Sequence, residues 1–72
     1  MTLFQRVEEL TVTSQNSSKK SIGEFVLRKK SHVSKYTTQQ IADETYTSKA
    51  ALVRFAKALG YQGWKEFAGA FA

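Results

Sequence analysis

The sequence predicts an all-α domain, a compact bundle of about five short helices that contains a helix-turn-helix. Three observations carry this expectation. Apolar residues recur at i, i+3, i+4 and i+7 in successive segments. Serine, threonine and glycine punctuate those segments where caps and turns belong. No stretch sustains the apolar–polar alternation of a half-buried strand. The 72 residues suit one domain, residues 1–72, with no repeat or internal boundary visible. A domain of this size buries only about 60% of its unfolded-chain surface, so its stability is expected to be marginal.

The first helix rests on Leu3, Phe4, Val7 and Leu10, one apolar stripe. Thr11 to Ser18 is rich in Thr, Ser, Asn and Gln and reads as a loop, with Ser17 or Ser18 placed to cap the second helix. Ile22, Phe25 and Val26, with Val33 near the same face, place that helix from about Ser18 to Ser31. Gly23 weakens it, since glycine costs about 1 kcal/mol against alanine inside a helix. Arg28, Lys29 and Lys30 suit the negative end of that helix, a reading preferred here to direct phosphate contact.

Thr37-Thr38-Gln39-Gln40 fits a capping box, so the third helix starts near Thr38 and ends near Glu44 or Thr45, burying Ile41 and Ala42. Thr45-Tyr46-Thr47 interrupts the pattern, and Ser48 is a suitable N-cap for the fourth helix. In that helix Leu52, Phe55, Ala56 and Leu59 form the inner stripe. Gly60 stands where a left-handed C-terminal cap belongs, with Tyr61 free to fold back. Gly63 opens the fifth helix, in which Trp64, Phe67, Ala68 and Phe71 repeat the spacing and read as core.

Composition narrows the function. The chain is 42% hydrophobic and 24% charged, a globular profile, and has no cysteine, which removes disulfides, thiolate nucleophiles and Cys-based zinc sites. His32 stands alone and reads as a surface or helix-end residue. No metal site, cofactor site or catalytic set is expected: there is no nucleophile–base pair, carboxylate pair or phosphate-cradling loop. Glu8 and Glu9 interrupt the N-terminal apolar stretch, so it is not a signal peptide, and no run approaches the roughly 18 apolar residues of a membrane helix. A soluble, cytoplasmic, nucleoid-associated protein is expected. The net charge of +5 raises the expectation of a polyanionic partner.

The informative segment is Thr38 to Leu59: a short capped helix, a turn of about three residues, and a second capped helix. This is the layout of a helix-turn-helix whose second helix lies in the major groove of double-stranded DNA. At about 100° per residue, Ala50, Val53, Arg54 and Lys57 point away from the inner stripe, and Ser48 and Lys49 occupy the exposed first turn. Arg54 can take guanine O6 and N7 bidentately or clamp a phosphate, and Val53 and Ala50 can meet thymine methyls. Free amides at the start of the third helix, at Thr37 and Thr38, offer a phosphate site. The candidate DNA-binding residues are therefore Thr37, Thr38, Ser48, Lys49, Ala50, Val53, Arg54 and Lys57.

The run Ile41-Ala42-Asp43-Glu44, followed by Thr47 to Phe67, resembles the N-terminal helix-turn-helix domain of RpiR/MurR-type bacterial transcriptional regulators. Ser48, Ala50, Val53-Arg54-Phe55, Leu59-Gly60, Gly63 and Glu66 match that family's pattern. The resemblance implies five helices that bind operator DNA as part of a homodimer, with Arg54 and Ser48 carried over as site residues. It also implies a C-terminal sugar-isomerase-type (SIS) domain that senses a phosphosugar; this chain is then expected to be a fragment lacking it. The chain departs from the pattern at the turn. Tyr46 stands for the usual glycine, Thr47 for an apolar residue and Ala51 for a common threonine. A turn that is strained or differently shaped is expected. The alternative reading is a protein–protein interaction module that uses Trp64, Phe67 and Phe71 as an interface.

Overall fold

The structure, a computed structural model, describes residues 2–71, the side chain of Ser31 excepted. It is all-helical among the described residues. The elements are α1 (Leu3–Thr13), α2 (Ser17–Lys29), a 3-10 helix (Lys30–Lys35), α3 (Thr38–Glu44), α4 (Lys49–Ala58) and α5 (Trp64–Phe71). The five expected helices are present. The 3-10 segment is an addition to them.

The first helix outruns its apolar stripe. The loop expected from Thr11 shrinks to residues 14–16, because α1 continues to Thr13. The two threonines that argued for a loop bond back into the helix. Thr11 Oγ1 donates to the Val7 carbonyl and Thr13 Oγ1 to the Glu9 carbonyl, each at 2.7 Å, so their hydroxyls stop competing for backbone groups. The N-terminus is closed by a Thr2–Gln5 capping box. The expected stripe is buried unevenly. Val7 is in the core, Leu3 and Leu10 pack on its edge, and Phe4 is 38% exposed, its ring stacked 6.1 Å from that of Phe71.

Asn16, not Ser17 or Ser18, caps α2, its side chain accepting from the Lys19 amide at 3.1 Å. Asn ranks with or above Ser as an N-cap, and starting the helix one residue earlier leaves both serines inside it. Gly23 is buried where α1 and α2 press together; a Cβ there would collide with Thr11 Oγ1. The glycine that weakened the sequence argument for this helix is what lets the two backbones approach.

The α-helical part of α2 ends at Lys29. Lys30 takes φ 54° and ψ −127°, and the chain tightens into the 3-10 helix. This reversal buries Val33 and sets the ring of Tyr36 edge-on to Phe25, centroids 5.4 Å apart. Lys29 Nζ lies 5.8 Å and 5.6 Å from those two ring centroids, close enough for cation–π attraction. His32 is exposed, as expected.

The core gathers Val7, Ile22, Phe25, Val26, Val33, Ile41, Leu52, Phe55 and Phe67. Phe55 meets Phe67 edge-on at 5.6 Å and Trp64 at 6.1 Å, and Trp64 and Phe67 lie 5.1 Å apart. Such pairs contribute about 0.5–1.5 kcal/mol each beyond their buried area. Trp64 and Phe67 therefore belong to the interior, as the spacing suggests, and are withdrawn from any interface.

Two substitutions test this account. Gly23→Ala should destabilise the domain by about 1–3 kcal/mol through overpacking against Thr11, although alanine is the better helix former; thermal unfolding measures it. A rise in melting temperature would show that α1 and α2 do not approach as described. Replacing Tyr46, whose φ is 56°, by glycine should raise the melting temperature by a few degrees, since relief of about 1 kcal/mol of left-handed strain corresponds to about 4–8 °C in a domain of this size.

Candidate nucleic-acid interface

The site is built on the α3–turn–α4 unit. The α3 N-terminus is closed by the predicted capping box. Thr37 Oγ1 accepts from the Gln40 amide at 3.1 Å, and the Thr37 amide donates to Gln40 Oε1 at 2.9 Å. This corrects one expectation, because the Thr37 amide is not a free donor. Thr37 can still offer its hydroxyl proton, and Thr38, half-buried, its backbone amide.

The turn has a defined geometry. The Thr47 amide donates to the Ala42 carbonyl at 2.9 Å, and the Tyr46 amide to that of Asp43 at 3.3 Å. These are the two bonds of a Schellman motif, in which the residue after the C-cap must be left-handed. Tyr46 occupies that position. The departure from glycine thus changes the strain of the turn and leaves its shape intact. Thr47 supplies a polar substitute for the missing apolar contact. The buried Thr45 hydroxyl donates to the Ile41 carbonyl at 2.7 Å, so the Thr47 hydroxyl, 2.8 Å away, donates to Thr45. No buried side-chain nitrogen or oxygen among the described residues lacks a partner.

Ser48 caps α4, its Oγ accepting from the Ala51 amide at 3.2 Å. At the other end, the Gly60 amide donates to the Lys57 carbonyl and the Tyr61 amide to that of Ala56, both at 3.0 Å, with Gly60 left-handed. Arg6, on α1, donates from Nη2 to the Leu59 carbonyl at 2.8 Å. A guanidinium at a helix C-terminus meets both an orphan carbonyl and the negative end of the dipole. Nothing in the spacing of Arg6 announces this bond, which joins residues 53 apart in sequence.

Both ends of α4 being held, its roll is fixed by what it buries. Ala51, Leu52, Phe55, Ala56 and Leu59 are buried; Lys49, Ala50, Val53, Arg54 and Lys57 are exposed. At about 100° per residue, Val53, Lys57, Ala50 and Arg54 fall within an arc of about 100°, centred opposite the buried arc. Ser48 and Lys49 continue that surface at the N-terminal end. The structure therefore brings Ala50, Val53, Arg54 and Lys57 together on one face, with Lys49 at its edge and Ser48 exposed at the cap where the helix begins. Thr37 and Thr38 lie apart from them, at the far end of α3. Tyr46, 95% exposed in the turn and bordering a depression with Glu24 and Arg28 of α2, is a surface feature that helical periodicity does not reveal, because periodicity says nothing about a turn.

A family model described as the helix-turn-helix domain of the rpiR family matches residues 2–72. No curated protein and no solved structure matches the chain. No helix among the described residues is long and apolar enough to cross a membrane.

The cap and the surface role of Ser48 are separable. Ser48→Ala should destabilise the domain by about 1 kcal/mol, whereas Ser48→Asp should keep thermal stability, since Asp caps as well as Ser. An equal loss of melting temperature in both variants would contradict the capping role.

Proposed function

The chain belongs to the rpiR family of helix-turn-helix domains, and on that premise we propose that α4 reads the major groove of double-stranded operator DNA. Binding DNA through a helix-turn-helix is what this family of regulatory domains does, and it is not a catalytic activity. The observation that supports α4 as the reader is the opposition of its two faces: one held by the core, the other carrying Ala50, Val53, Arg54 and Lys57 to solvent.

Each exposed residue has a role that the groove can use. Arg54 is the base reader, bidentate to guanine O6 and N7. Val53, 37% exposed, and Ala50 offer small apolar surface to thymine methyls. Lys49 at the edge of the reading arc and Lys57 at its C-terminal end suit phosphates, as do the hydroxyl protons of Ser48 and Thr37 and the amide of Thr38. We place the domain in a regulator that pairs two copies on a palindromic operator, with half-sites about one helical turn apart. That regulator responds to a phosphosugar bound outside residues 1–72 and governs sugar or phosphosugar metabolism. The docking alternative keeps only Phe71 of its three aromatics at the surface, half-buried against Phe67 and Phe4.

Binding sites selected from random duplexes supply the ligand for a test. Arg54→Ala should lose about 1–3 kcal/mol on the selected site and little on unrelated duplex. Lys57→Gln should weaken both alike and flatten the plot of log affinity against log salt by about one unit. Unchanged affinity of Arg54→Ala for the selected site would remove α4 as the reader.

A further inference from the structure

Tyr46 combines two features that the rest of the chain does not repay. Its backbone is left-handed, φ 56°, a conformation that costs a Cβ-bearing residue about 1–2 kcal/mol and that glycine adopts freely. Its ring is 95% exposed, so packing against the described residues returns almost nothing of that strain. The turn needs the left-handed backbone, because the Thr47 and Tyr46 amides must reach the Ala42 and Asp43 carbonyls. It does not need the phenol. A strained, solvent-facing aromatic of this kind points to a contact outside the chain.

The position says where that contact lies. Tyr46 precedes the N-cap Ser48 by two residues, and Lys49 beyond it is exposed. A helix about 10–12 Å across fills a major groove about 12 Å wide. The chain entering such a helix at its N-terminus therefore crosses the groove wall, where the phosphates are. Tyrosine hydroxyls are among the groups that donate to phosphate oxygens there. The surroundings also define the kind of contact. Glu44, exposed two residues back, borders a shallow depression with Glu24, Arg28 and Tyr46, and Asp43 Oδ1 accepts from Gln39 Nε2. With two free carboxylates beside one arginine, this spot does not attract an anion by diffuse charge. A directed hydrogen bond from a neutral donor is the contact that fits.

We infer that the Tyr46 hydroxyl donates to a backbone phosphate at the edge of the groove that α4 occupies, fixing the entry of the reading helix without reading sequence. This rests on α4 being the DNA-reading helix. The test titrates the 72-residue chain and its Y46F and Y46G variants against the selected duplex and an unrelated one, at several salt concentrations, with thermal unfolding alongside. Y46F should bind both duplexes more weakly, by on the order of tenfold, as for the loss of one hydrogen bond to a charged acceptor. Its salt dependence should match that of the unaltered chain, since no cation is removed. Y46G should melt higher and bind at least as weakly as Y46F, stability and affinity moving in opposite directions. Full binding by Y46F overturns the hydrogen bond, and full binding by Y46G as well leaves the ring without a DNA role and points to a protein partner. If the unaltered chain bound no duplex, the function proposed for α4 would fall, and the Tyr46 contact with it.

Discussion

The packing of Phe55 against Trp64 and Phe67 is the interaction on which the rest of the structure depends. It is an intersection of two helices rather than a feature of one. Rolling α4 by a single residue, about 100°, would lift Phe55 out of the ring cluster and turn Arg54 toward the core. Burying an unpaired guanidinium is far costlier than any gain from re-packing aliphatic groups. The apolar stripe thus positions the outer face by exclusion, and the aromatic residues of α5 orient the surface proposed to meet DNA.

Roll alone does not place a helix; its ends must also be fixed. Here two Schellman motifs and two N-caps do so. One motif closes α3 through Tyr46 and the other closes α4 through Gly60. Together with the bond from Arg6 to the Leu59 carbonyl, they tie α4 to both α3 and α1. A domain of this size has little core to draw on, so such local hydrogen bonds, each contributing about 1 kcal/mol, carry a larger share of its order than they would in a larger protein.

The parts of this arrangement that were legible in the sequence are those written in periodicity and caps. The inner stripe of α4, the Thr37–Gln40 box, the Ser48 cap and the Gly60 terminator all follow from spacing, and with them the outer face of Ala50, Val53, Arg54 and Lys57. The parts that were not legible depend on partners distant in sequence or on a residue acting against its usual preference. Thr11 and Thr13 look like loop residues until their hydroxyls are seen to bond to carbonyls one turn back. Gly23 looks like a helix defect until α1 is laid across it. Lys30 adopts a positive φ that no lysine signals, and the 3-10 helix follows from it. The amide of Thr37 looked free because a capping box and a phosphate site draw on the same donor, and only one of them can have it.

Tyr46 joins these two classes. Its backbone obeys the turn and its side chain does not serve the fold, so the position divides between stability and the recognition proposed for it. A glycine would satisfy the Schellman bonds at lower strain and give up all surface at the mouth of the reading helix. A tyrosine keeps the same bonds, holds the left-handed backbone at some cost, and places a donor two residues ahead of Ser48. Because that donor is neutral and stands near Glu44, the contact proposed for it is directional where those proposed for Lys49 and Lys57 are not. In the proposed complex the lysines would draw the duplex in through long-range charge, which salt screens, whereas a hydroxyl at the turn would act only once the helix is seated. On that proposal the face of α4 and the turn before it act at different stages of the same encounter.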